Sequence, residues 1–337
     1  MKKGSFVVEK YYQNNKVFNE TLNDTIFEGR TFKNIKLKEL FQEHNINFNT
    51  HDVNNINESD IVIYNDMPKI LPKQKNKFKS FLIINEPPSV YPKNFNKSLH
   101  SYFNKIFTWD DDLVDNKLYY KINLSFNLKT NHFKHINFID RKFVCMIAAN
   151  KISNHKNEAY SLRRHVISWS SKNNKKLDLF GYDWDKILFK KFPLTYLNRF
   201  NIFPPFIEKK FALYSKLYKG TLNSKFDVLG EYKFCFCFEN IKGIRGYVTE
   251  KIFDCFFSNT IPIYIGADNI SDYIPKNVFI DYRDFECIGD LYQYIESINE
   301  ETFNIYLNNI KSYLTSKKAE FFDARYNAEL IVNQIVI

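Results

Sequence analysis

The chain has 337 residues, 44% hydrophobic and 26% charged, and at about 150 residues per domain that length suggests two domains. Aromatics reach 18%, with only 9 Gly and 10 Pro, a composition that excludes disordered and collagen-like chains. A balance of 48 basic against 38 acidic residues, formally +10, favours anionic partners (nucleic acid, an acidic membrane face or a phosphorylated small molecule) without choosing among them.

The start, Met1-Lys2-Lys3-Gly4-Ser5-Phe6-Val7-Val8-Glu9, reaches an acid before the apolar region of a signal peptide forms. Apolar runs along the chain are strand-sized, so no membrane span is predicted and a soluble, cytoplasmic protein is expected. Strands are predicted at Phe6–Val8, Ile61–Tyr64, Phe81–Ile84, Lys105–Thr108, Phe143–Ile147, Leu177–Phe180, Lys233–Phe238, Ile261–Ile265 and Val278–Asp281. Helical periods lie between many of them, and Phe303, Tyr306, Leu307, Ile310, Tyr313 and Leu314 recur as one amphipathic stripe. Alternating strands and helices predict α/β domains built on parallel sheets. The polar stretch from Asn127 to Arg141 is the predicted boundary, giving domains of 1–140 and 141–337, with the last helix expected to cross back. In such domains ligands bind at the carboxyl ends of the strands, and two facing domains make a cleft.

Cys145, Cys235, Cys237, Cys255 and Cys287 are odd in number and lie in apolar stretches, so they read as reduced core thiols. Zinc spacing is absent, and the histidines form no ligand motif.

Chemistry concentrates between Lys233 and Tyr282. A buried-strand run to Phe238 is followed by Glu239-Asn240, and a loop punctuated by Gly243 and Gly246 leads to Thr249-Glu250-Lys251, which opens a helix with Thr249 as N-cap. The free N–H groups and positive dipole end of that helix suit a phosphate. Lys251 adds a full charge there, and Arg245 is near in sequence. Glu250 makes sense turned toward sugar hydroxyls. Spacing alone favours a Glu250 that complements the dipole beside a solvated Lys251.

The ordered set Tyr232-Lys-Phe-Cys-Phe-Cys-Phe-Glu-Asn240, Tyr247-Val-Thr-Glu-Lys251 and Thr260-Ile-Pro-Ile-Tyr-Ile-Gly266 resembles the signature of the α-1,3/4-fucosyltransferases, glycosyltransferase family 10, of bacterial soluble type. Val278-Phe-Ile-Asp-Tyr-Arg-Asp-Phe285 is also similar. The resemblance implies two Rossmann-like domains of GT-B type, with GDP-fucose held mainly by the C-terminal one. It assigns Glu250 to ribose or fucose hydroxyls, Lys251 to the diphosphate, and Asn240 and Tyr247 to the same donor site. It also implies a basic residue on the diphosphate from the helix after the first strand of that domain. Arg163 is the choice, with Arg164 next to it and a solvated helix face as the bland alternative. Lys225 corresponds to a further donor position.

The catalytic base is expected in the other domain. Asn85-Glu86-Pro87-Pro88 follows the strand Phe81–Ile84 at its carboxyl end, where α/β sheets present functional groups. The family's proposed base is a glutamate in this place, so Glu86 is the candidate, against a loop carboxylate without special role. Asp110-Asp111-Asp112 invites a metal reading, but adjacent acids are more often a solvated turn, and no metal is expected to be required. The implied activity is inverting transfer of L-fucose from GDP-β-L-fucose to a hydroxyl of an oligosaccharide or lipid-linked acceptor. An α-1,3 or α-1,4 linkage on a bacterial surface glycan is expected, with peripheral contact at the inner membrane face open through the +10 charge. The alternatives are a transferase of another GDP-activated sugar, a non-catalytic sugar-binding protein and an RNA-binding protein. The last is disfavoured because the aromatics sit in apolar, core-like runs.

Overall fold

Strand-length runs of apolar residues without polar alternation are stable only when both faces of the sheet are covered, the condition of parallel α/β sheets. The computed structural model describes residues 1–19, 31–130, 132–186 and 216–336, and it holds two such sheets. The first contains β1 (Lys2–Val7), β2 (Ile46–Thr50), β3 (Ile61–Asn65), β4 (Ser80–Ile84), β5 (Lys105–Thr108) and β6 (Tyr119–Lys121) in the order β2-β1-β3-β4-β5-β6. The second contains β7 (Lys142–Ile147), β8 (Asp178–Phe180), β9 (Tyr218–Gly220), β10 (Tyr232–Phe238), β11 (Ile261–Ile265) and β12 (Ile280–Asp281) in the order β12-β11-β10-β7-β8-β9. Neighbouring strands pair in parallel throughout both. Every apolar run picked from the sequence overlaps a strand, although Val278 closes a 3₁₀ turn and its strand starts only at Ile280.

The alternation in β10 explains its unusual composition. Phe234, Phe236 and Phe238 face Val166 and Ile167 of the helix Tyr160–Lys172. Cys235 and Cys237 face the other way, beneath Ile252, Phe253 and Phe256 of the helix Glu250–Phe257. Small thiols on that side leave room for the helix's aromatic face. Cys145, Cys235, Cys237 and Cys255 are buried free thiols, as expected. Cys287 departs from the reading: it is exposed, because it caps the helix Ile288–Ser297 instead of filling a strand, its N–H donating to Asp290 at 3.2 Å.

In the first sheet, Leu37 and Phe41 of the helix Phe32–Glu43 share one face with Ala328, Ile331 and Val332 of the final helix, Ala324–Val336. Tyr64, Leu82 and Phe103 fill the opposite face. The chain therefore runs from the first sheet through the second and returns. The crossing is held by backbone bonds from Phe126 N to Phe322 O (2.8 Å) and from Ala324 N to Phe126 O (2.9 Å), and by Asn123 N donating to Asn327 Oδ1 at 2.6 Å. Among the described residues no helix is long and apolar enough to cross a membrane.

Phe253 is the node where these parts meet. Its fully buried ring lies 5.0 Å from Phe126 and 4.9 Å from Phe322 between centroids. Phe253→Ala should lower unfolding stability by about 3–5 kcal/mol, read from a urea transition; a loss below about 1 kcal/mol would show that the crossing closes without it.

Candidate active-site cleft

Where the two sheets face each other they enclose a cleft of about 1320 Å³. Its C-terminal wall is organised by Glu239, which the sequence reading passed over. Glu239 follows β10, is fully buried, and its N–H donates to Ile265 O at 2.9 Å. Oε1 accepts from Thr249 N at 2.8 Å, and Oε2 accepts from Thr249 Oγ1 at 2.7 Å and Lys251 Nζ at 3.2 Å. Thr249 is the N-cap, as expected, its Oγ1 accepting from Lys251 N. A carboxylate of the chain itself thus takes part of the helix-start site that the sequence reading gave to a phosphate. Gly266 sits against this arrangement: a Cβ there would lie 2.5 Å from Glu239 Cγ.

The other C-terminal candidates surround this centre. Arg163 is buried, and its Nη2 donates to Phe238 O (2.5 Å), Glu239 O (2.8 Å) and Asn240 Oδ1 (3.1 Å) while the guanidinium lies 5.0 Å from the Tyr160 ring centroid. Its Nε is buried without a hydrogen-bond partner among the described residues. Arg163 lines the cleft, whereas Arg164 turns to the carbonyl of Lys151. Both are buried, so neither belongs to a solvated helix face. Lys225 pairs with Asp254 at 2.6 Å. Lys251 also lies 3.6 Å from Glu250. Burial first, then the carboxylates of Glu239, Glu86 and Glu250, hold the Tyr247 hydroxyl protonated well above the usual tyrosine range. Groups from both walls therefore converge on that ring.

The opposite wall presents Glu86 at the carboxyl end of β4. Its N–H and that of Asn85 donate to Asp66 Oδ1, at 3.1 and 2.7 Å, and its carbonyl accepts from Asn94 Nδ2 at 3.1 Å. Asp66 is held in the left-handed backbone region, φ 65°. Lys33, buried, reaches Asn85 Oδ1 at 3.1 Å. Asp66 and Lys33 were not singled out from sequence, because nothing local marks a lysine in an amphipathic helix or an aspartate after a strand as partners of Glu86. All the candidate residues (Glu86, Arg163, Lys225, Asn240, Tyr247, Glu250 and Lys251) line the one cleft.

The Asp110–Asp112 run does not gather ligands. Asp111 accepts from Lys121, Tyr273 and Asn269, and among the described residues no group of three or more His, Cys, Asp or Glu could hold a metal ion.

Two helix-covered parallel sheets closing on such a cleft make the GT-B fold, the two-domain architecture of one large class of glycosyltransferases. A crystal structure of an α1,3-fucosyltransferase with GDP matches with a TM-score of 0.58, covering 99% of this chain and 90% of that one at 17% identity. Anabaena Alr3699/HepE in complex with UDP matches at 0.55 over 100% of both chains, at 10% identity. More specifically, residues 213–329 match the family model for glycosyltransferase family 10 (fucosyltransferase), C-terminal part. Within the chain, 88 residues are 42% identical to the α-(1,3)-fucosyltransferase FucT of Helicobacter pylori, and 73 are 34% identical to an α-(1,4)-fucosyltransferase of Arabidopsis thaliana. These stretches make up 26% and 22% of this chain and 18% of each relative's length. The resemblance read from Tyr232 to Gly266 holds on these grounds.

Burial pulls the Lys33 ammonium down to about 8, against the attraction of Asp66. An unfolded chain keeps that proton up to the ordinary value of 10.5. Between those values the unfolded state binds more protons, so stability rises with pH across the window. The stability difference between wild type and Lys33→Met should accordingly shift toward wild type by about 3 kcal/mol from pH 7 to pH 10.5. Urea transitions at both pH values measure it, and a flat difference would mean that Lys33 titrates normally.

Proposed function

We propose that this protein transfers L-fucose from GDP-β-L-fucose to a hydroxyl of a glycan acceptor, with inversion at the anomeric carbon. The observation that carries the reading is the common cleft. A carboxylate stands at the strand end of one wall, and a cluster of cations and hydroxyl-binding groups stands on the other. The likeness of residues 213–329 to the fucosyltransferase family model supports the choice of sugar.

In this reading the C-terminal half binds the donor. Lys251, Arg163 and Lys225 attract the diphosphate, and Glu250 accepts hydrogen bonds from ribose or fucose hydroxyls. Asn240 and Tyr247 close the same pocket. Lys251 Nζ donates to Glu239 and Thr249 here, and in this reading a diphosphate oxygen competes with them for the ammonium's three donors. The N-terminal half binds the acceptor, and the Glu86 carboxylate takes the proton of its attacking hydroxyl. The new bond forms at the anomeric carbon as the bond to GDP breaks, giving the α-linkage in one displacement. Cations facing the departing diphosphate stabilise the developing charge, and no metal is required. The similarity to the Helicobacter protein makes an oligosaccharide or lipid-linked glycan of a bacterial surface the acceptor class to screen first, for α-1,3 and α-1,4 products. The direct test is mass-spectrometric detection of fucosylated product from GDP-fucose and an acceptor panel. Transfer of another sugar from its GDP derivative in preference to fucose would overturn the assignment.

GDP should bind in excess chelator. Lys251→Ala should weaken it tenfold or more, since a charge-assisted contact contributes about 1.5–3 kcal/mol. Calorimetry with both proteins decides this, and equal affinities would remove Lys251 from the donor site. Glu86→Gln preserves shape but cannot accept the proton, so kcat should fall about 10²–10⁴-fold with GDP affinity little changed. Retention of more than about a tenth of wild-type kcat would place the base elsewhere.

A further inference from the structure

The Asp110–Asp112 run has no part in the chemistry above, yet it stands where the two halves touch. Asp111, on the loop after β5, accepts from Lys121 Nζ at 2.6 Å within its own half. From the other half it accepts Tyr273 OH at 2.6 and 2.8 Å and Asn269 Nδ2 at 2.8 Å. The same Asn269 turns its Oδ1 to the N–H of Gly246 at 2.9 Å, and Asp111 N donates to Arg245 O at 3.3 Å. One carboxylate therefore holds both the helix Ile270–Tyr273 and the loop leading to Tyr247. Burial raises the Asp111 carboxyl, but its bonds to Lys121, Tyr273 and Asn269 outweigh that and keep it below the ordinary value.

Two residues earlier, Trp109 completes the link. Its buried indole donates from Nε1 to Asn85 O at 2.9 Å, next to Glu86, and its ring lies 4.6 Å from that of Tyr247. Gly246 makes this approach possible: it has φ +82°, and a Cβ would lie 2.2 Å from Trp109 O. A continuous set of contacts thus runs from the residue before Glu86, through Trp109 and Asp111, to the loop that carries Tyr247 and leads into the helix opened by Glu250 and Lys251.

We propose that Asp111 is a positioning residue: held by Tyr273 and Asn269, it fixes the spacing between Glu86 and the 245–249 loop across the cleft. The role rests on the fucosyl-transfer reading for its catalytic consequence, but not for its structural one. Asp112, exposed and 3.5 Å from Arg245, is a peripheral part of the same junction.

Tyr273→Phe is the suitable probe, since it keeps the ring beside Phe322 and Lys121 and deletes only the hydroxyl. In the full chain without ligand, amide hydrogen exchange should quicken several-fold in peptides spanning 241–251 and stay unchanged in β11, with the urea midpoint unmoved. With donor and acceptor, kcat should drop about tenfold, the scale expected for a small misplacement of reacting groups, while KM for GDP-fucose changes less than about twofold. Unchanged exchange in 241–251 would show that the Tyr273 bond to Asp111, on which the proposed hold depends, does not order the loop. Faster exchange across the whole second sheet would mark a general folding role instead. Faster loop exchange with wild-type kcat would break the link to catalysis. Each of these three results overturns the proposal. Should the wild type transfer no fucose at all, the functional reading fails, while the exchange measurement still decides whether the junction holds the loop.

Discussion

A fully buried carboxylate is among the most expensive groups to place inside a protein, and removing its partner commonly costs several kcal/mol. Glu239 is such a group, and the C-terminal wall is arranged around it. Thr249 gives it a backbone and a side-chain hydrogen, Lys251 gives it a charge, and Gly266 leaves it room. Satisfying Glu239 therefore fixes where the helix Glu250–Phe257 begins, and with it the places of Glu250 and Lys251. Arg163 reinforces the point by binding the carbonyls of Phe238 and Glu239 from the neighbouring helix. The C-terminal wall is built from a polar knot under an apolar sheet.

The opposite wall follows the same logic at smaller scale. Asp66, in a backbone region that non-glycine residues seldom adopt, gathers the N–H groups of Asn85 and Glu86. The carboxylate of Glu86 is thus presented from a strand end whose backbone has little freedom. Rigid presentation from scaffold elements is what catalytic geometry requires.

Strands were legible where burial on both faces demanded apolar residues, and this holds for β3, β4, β10 and β11. The strands that escaped, β2, β6 and β9, all lie at sheet edges, where one side has no neighbour and the composition is free to be polar. Ile46-Asn47-Phe48-Asn49-Thr50 and Tyr218-Lys219-Gly220 carry no buried-strand signal for that reason. In the cleft, Asn240, Tyr247, Glu250 and Lys251 stand together, as their grouping in one motif predicts. Glu239 lies inside the same motif but was given no role, because its importance lies in complete burial. Lys33, Asp66 and Asp111 act through partners distant in sequence, such as Asp111 with Tyr273, and no local pattern records such a pairing.

The return of the helix Ala324–Val336 to the first sheet orders events during synthesis. Residues 1–121 supply every strand of that sheet, yet Ala328, Ile331 and Val332, which cover one of its faces, are translated only after the whole second sheet has been made. Until then the first half of the chain, with only the helix Phe32–Glu43 on that face, presents a partly uncovered apolar surface, the kind of exposure that favours misassociation during folding. The second half can complete its own sheet in the meantime, so the N-terminal half, although made first, is the last to be closed.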